Sequence, residues 1–125
     1  MHEFDPDVNL DDESIPLWVR IEECMRLLET ALKEAKSRGA HMVVKEADYY
    51  TAKSQESFKL LEAGYANTFI QTVIKGRPSV TEAMSAYHAA EVEYKNANEA
   101  INVFKVKLRV LENEQQRDYE QARRM

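Results

Sequence analysis

No glycine or proline occurs from Ser79 to Met125, so more than forty consecutive residues lack a side chain that ends or kinks a helix. A single long helix is therefore predicted over residues 80–123. The residues before it read as a connection. Lys75-Gly76 suits the end of a preceding helix, with glycine free to take the left-handed cap conformation and lysine near the negative dipole end. Ser79-Val80-Thr81-Glu82 reads as a capping box, in which the serine oxygen and the glutamate each satisfy an orphan amide. A turn as short as 76–79 favours two long helices packed as antiparallel neighbours. The fold class expected is all-α: a long antiparallel helical hairpin, coiled-coil-like, with an N-terminal helical extension.

Periodicity supports the seam such a hairpin needs. In the second helix Tyr94, Ala97, Ile101, Phe104, Leu108 and Leu111 follow alternating three- and four-residue steps, and Tyr87 continues the stripe toward the turn. In the first, predicted over 15–75, Val44, Ala47, Thr51, Ser54, Phe58, Leu61 and Tyr65 keep the same rhythm before it broadens at Phe69 and Val73. A turn centred between Arg77 and Pro78 sets Phe58 against Ala97, Tyr65 against Ala90 and Tyr94 against Leu61, so that large side chains meet small or complementary ones.

That register leaves an overhang, because the C-terminus reaches back only to about residue 32. Residues 15–31 are nevertheless amphipathic. Leu17, Ile21, Cys24, Leu28, Ala31 and Ala35 form one stripe, widened by Trp18, Met25 and Leu32. Burying a large side chain is worth roughly 1.5–3 kcal/mol, so this stripe should be covered. The chain can bend at Gly39 and fold back as a third helix, or run straight through and pair with a second copy. A homodimer is the favoured reading, since no N-cap residue closely follows Gly39. Its seam would hold Leu17, Trp18, Ile21, Met25, Leu28 and Leu32.

The formal charge of -5 is unevenly placed. Residues 1–13 carry six acids and no Lys or Arg, residues 14–104 are nearly neutral, and residues 105–125 carry six basic against four acidic side chains. The leader is expected to be flexible, with Ser14 capping the first helix and residues 14–125 forming one helical domain. Asp5, Asp7, Asp11, Asp12 and Glu13 are its candidate partner-binding residues, able to dock on a basic groove or imitate a phosphate backbone. Lys105, Lys107, Arg109, Arg117, Arg123 and Arg124 are the candidate phosphate contacts, although interleaved acids favour a solvated face. Among the tyrosines, Tyr65, Tyr87 and Tyr94 fall on the inferred seam, leaving Tyr49, Tyr50 and Tyr119 as candidates for base stacking.

Catalytic and metal signatures are not spelled out. His2, His41 and His88 are scattered, no Glu-x-x-His recurs for a di-metal bundle, and Lys75-Gly76-Arg77-Pro78-Ser79 lacks the first glycine and the strand of a phosphate loop. Cys24 sits on an apolar stripe with no histidine placed to activate it, and a lone cysteine cannot make an internal disulfide. No catalytic residue, cofactor or metal is expected. Nor is a signal segment or membrane span read, which makes the cytoplasm the default compartment.

Tyr49-Tyr50-Thr51-Ala52, the turn Lys75-Gly76-Arg77-Pro78-Ser79-Val80-Thr81-Glu82-Ala83, Tyr87, and the closing Leu111-Glu112 with Arg123-Arg124 together resemble a group of small helical proteins. These are encoded by tailed bacteriophages and prophages, often near genes for DNA replication and recombination. The resemblance spans residues 49–124. It implies a setting, the host cytoplasm and phage DNA metabolism, and transfers no site residue. The function expected is that of a non-enzymatic accessory protein acting through a protein partner. The alternatives are an inhibitor that mimics DNA with its acidic leader, or a nucleic-acid binder using the C-terminal basic turns.

Overall fold

A computed structural model of the chain describes residues 9–124, and among them every regular element is helical. Helix α1 spans Leu17–Glu62, α2 spans Asn67–Val73 and continues into a 3-10 turn at Ile74–Gly76, and α3 spans Pro78–Arg124. The all-α hairpin is present, with α1 packed along α3. The chain divides into two compact units. One comprises residues up to Glu34 together with Ala97 onward, and the other is Ala35–Asn96. Each contains a stretch of α1 and a stretch of α3.

The first helix ends earlier than the sequence suggests, at Glu62 and not at 75. Gly64 adopts φ 90°, the left-handed conformation that a side chain disfavours, and it is the one glycine with positive φ. Its amide donates to the Leu61 carbonyl (3.0 Å), and the Tyr65 amide donates to the Leu60 carbonyl (3.2 Å). These paired bonds form a Schellman cap that satisfies the last carbonyls of α1. The cap role expected of Gly76 therefore belongs to Gly64, while Gly76 closes the 3-10 turn.

The start of α3 also differs from the capping box. Pro78 takes the first helical position, where its missing N–H costs nothing. The Ser79 hydroxyl donates to Glu56 Oε1 (3.0 Å), and the Thr81 hydroxyl donates to the Lys75 carbonyl (2.8 Å). The connection thus occupies residues 63–77 and holds a short helix, instead of a tight turn at 76–79.

Moving the turn moves the register. In the unit Ala35–Asn96, Tyr94 lies against Gly39, where an added Cβ would come within 3.1 Å of the ring. Tyr87 hydrogen-bonds Glu46 (2.7 Å), and Arg38 pairs with Glu93 (2.9 Å). Tyr94 therefore meets α1 about six helical turns before the Leu61 that the assumed turn gave it. Helix α1 passes through Gly39 without interruption, and the missing side chain there seats an aromatic ring. The core of this unit is Leu60, Ile70, Ile74 and Val80, with Tyr49, Ala52 and Val73 packed around it.

The same shift covers the N-terminal stripe. In the other unit Leu10, Cys24 and Leu111 are buried, with Leu17, Ile21, Leu27, Phe104 and Leu108 packed on them. The stripe expected to seek a second copy is covered by α3 of its own chain, so the overhang argument for a dimer falls. Leu17 and Ile21 belong to this core and Leu28 is half-buried, while Trp18, Met25 and Leu32 point away from it and remain exposed.

The leader is folded from Asn9 onward. The Asp11 amide donates to Asn9 Oδ1 (3.0 Å), and Ser14 donates both its amide (2.9 Å) and its hydroxyl (2.7 Å) to Asp12 Oδ1. Ser14 thus closes a turn around Asp12 and does not cap α1. Those two bonds hold the Asp12 carboxyl below the usual carboxylate range. Arg20, only 5% exposed, donates Nε to the Ile15 carbonyl (3.0 Å) and reaches Glu114 of α3 (3.7 Å).

Candidate protein-docking face

Helix α1 of the unit Ala35–Asn96 carries two stripes on opposite sides. Residues advance about 100° each around a helix, which places Tyr49, Ala52, Glu56 and Leu60 on one side. They face the core and α3. Val43, Ala47, Tyr50, Ser54, Phe58 and Leu61 fall on the other, and water meets them: Val43 is 61% exposed, Phe58 60% and Leu61 56%. Between Val43 and Leu61 no charged residue interrupts this outer face. Past the helix end, Tyr65 and Phe69, each about half exposed, form a stacked pair with ring centroids 4.9 Å apart.

The outer stripe shares Ala47, Ser54, Phe58 and Leu61 with the stripe whose rhythm predicts the intramolecular seam. Phe58 and Tyr65 do not meet Ala97 and Ala90; both are exposed. The working seam was harder to see because two of its positions are acids. Glu46 accepts the Tyr87 hydroxyl, and Glu56 accepts Arg77 Nε (3.1 Å) and the Ser79 hydroxyl (3.0 Å). Hydrogen bonds from Ser79 and Arg77 hold the Glu56 carboxyl below its ordinary value, so it stays ionised and pins the start of α3 to α1.

Tyr87 titrates in the opposite sense. Its bond to Glu46, and secondarily its burial, push the phenol up to about 12 from an ordinary 10. Because the folded value is raised, the stabilisation is complete below pH 10 and is lost as pH rises through 12. Melting temperatures taken across that window should fall, and Tyr87→Phe should fall less steeply. Parallel profiles for the two proteins would contradict this.

The other expected residues are dispersed or engaged. Asp5 and Asp7 lie outside the described residues. Asp11 faces Lys107 (3.7 Å), Asp12 is held by Ser14, and Glu13 is exposed. Lys105, Arg109, Arg117, Arg123 and Arg124 are exposed on α3, with Glu112, Asp118 and Glu120 exposed among them, so the surface there is of mixed sign. Tyr50 and Tyr119 are exposed as expected, whereas Tyr49 stacks on Tyr87 at 6.2 Å beside the core. His88 Nδ1 lies 2.8 Å from Glu91. Cys24 is fully buried, its thiol donates to the Phe104 carbonyl (3.5 Å), and burial pushes its pKa up. Among the described residues no three His, Cys, Asp or Glu side chains cluster as metal ligands, and no helix is long and apolar enough to cross a membrane.

Comparison with protein-family models, curated proteins and solved structures gave no match. What stands is a class, an all-α helical hairpin with one uncharged outer face on its first helix.

Proposed function

We propose that this chain is a non-enzymatic accessory protein that works by protein–protein contact through the outer face of α1. The carrying observation is the uncharged run from Val43 to Leu61 on the side of the helix away from its own core. A helix that is apolar on two opposite sides has two seams, and α3 fills one of them. Leaving the other wet is unfavourable, since exposed apolar patches beyond a few hundred Å² mark interaction sites. The setting in phage DNA metabolism rests on the resemblance of residues 49–124 alone. The mixed signs along the last turns of α3 favour a protein surface over a phosphate track.

The test is a double variant, Tyr50→Glu with Phe58→Glu, compared with the parent by proximity cross-linking in the producing cell. Both positions are exposed, so helicity should be unchanged by circular dichroism while the cross-linked species disappear. An unchanged cross-linking pattern in a fully helical variant would falsify this reading.

A further inference from the structure

We infer that the outer face of α1 docks against the same face of a second copy of this chain, the two helices antiparallel and centred on Ser54. This rests on the protein-contact reading above and names its partner. Three observations carry it.

The first is the spacing. Ala47, Tyr50, Ser54, Phe58 and Leu61, all within α1, are separated by steps of 3, 4, 4 and 3, which read the same in both directions. A two-fold contact between antiparallel helices maps each residue onto its mirror position, so a self-docking stripe needs this property and a foreign partner does not. Ser54 then meets its own copy, and its small side chain lets the backbones approach. Tyr50 faces Phe58 and Ala47 faces Leu61, so an aromatic pair flanks the centre and the outer pair sets a small side chain against a larger one.

The second is area. Val43, Val44, Tyr50, Phe58, Leu61 and Tyr65 are each about half exposed or more. With Phe69 they leave on the order of several hundred Å² of side chain in water, the size at which an exposed apolar patch marks an interaction site.

The third is charge. The charged side chains that flank the face most closely and are not hydrogen-bonded to α3 are Glu62 and Lys53, one of each sign. A face that meets itself must be neutral on balance, whereas nucleic acid or a strongly charged protein would select one sign.

The experiment is sedimentation equilibrium of the full chain at about 100 µM, where even a weak dimer of micromolar affinity is fully formed. A doubled mass is expected, and Phe58→Glu should weaken association at least about 100-fold by forcing a carboxylate into the contact. Register is read by disulfide trapping in a Cys24→Ser background. Ser54→Cys should give a covalent dimer alone, whereas Ala47→Cys and Leu61→Cys should cross-link efficiently only when mixed. A monomer at that concentration with no trapping overturns the inference, as does a dimer indifferent to Phe58→Glu. If the parent is monomeric yet Tyr50→Glu with Phe58→Glu still loses its cellular cross-links, only the second copy is refuted and the protein-contact reading survives.

Discussion

Replacing Ile74 by alanine should lower the unfolding free energy by about 3 kcal/mol, the usual range for removing most of a fully buried aliphatic side chain. Ile74 is 1% exposed and packs with Val80, Ile70 and Leu60. Its position makes the loss structural as well as local. Helix α2 has seven residues, too few to persist in water without tertiary contacts. It is held by Ile70, and the chain behind it by Ile74, both pressed against the first turn of α3 and the last turn of α1. Opening a cavity there loosens the connection that sets the register of the hairpin. The midpoint of urea denaturation should move down, and amide protection in residues 67–76 should fall first. Thr72→Ala, on the exposed side of the same helix, should change stability by less than about 0.5 kcal/mol. Equal effects at the two positions would mean that α2 is not anchored through Ile74.

How much of this was legible in the sequence differs by element. Helix α3 was read almost to the residue, because a stretch with no glycine or proline and a strict apolar rhythm leaves few alternatives. Its seam, Tyr87 through Leu111, is the seam observed. Helix α1 differs in phase from its apolar rhythm. Two stripes run along residues 42–61, and counting apolar residues selects the more apolar one, which is the exposed one. The true seam spends Glu46 and Glu56 on hydrogen bonds to α3, and a carboxylate reads as solvent-facing unless its partner is known. The turn was misplaced for a related reason. Lys75-Gly76-Arg77-Pro78 carries more breaker residues than Ala63-Gly64-Tyr65, yet it was the glycine of the weaker signal that took the left-handed conformation. A first helix that stops at Glu62, thirteen residues before the expected 75, displaces the pairing far enough to remove the overhang.

The candidate site was legible only through that error. Phe58 and Leu61 do keep the spacing of a helix seam, on the outer face of α1. Assigning them to α3 hid the need for something else to cover them. Conversely, Leu17 and Ile21 are expected against a second copy, but α3 of the same chain packs on them. A surface defined by what its own fold fails to cover cannot be located until the register is known.

The leader offers the other large effect. Leu10→Ala should cost about 2 kcal/mol, and removing residues 1–13 should cost more, about 4 kcal/mol, although the sequence presents this segment as an acidic flexible tail. Leu10 is 6% exposed in the cluster with Cys24 and Leu111, so an aliphatic side chain leaves the core in either variant. Truncation does further harm at Arg20. That guanidinium is nearly covered, and the Leu10 carbonyl lies 3.5 Å from its Nη1, beside the Ile15 carbonyl and Glu114. A buried cation that loses part of its hydrogen-bonding shell is left incompletely solvated, a penalty of about 1–3 kcal/mol. The leading consequence is for any test of the acidic segment as a DNA mimic. A truncated protein that lost inhibition would also be a destabilised protein, whereas Asp11→Asn removes charge from an exposed side chain and leaves Leu10 and Arg20 in place. Thermal unfolding of the three variants separates the cases: the order of stability should be the Asn variant, then Leu10→Ala, then the truncation. A truncated chain as stable as the parent would show that the segment from Asn9 to Glu13 contributes nothing to the core.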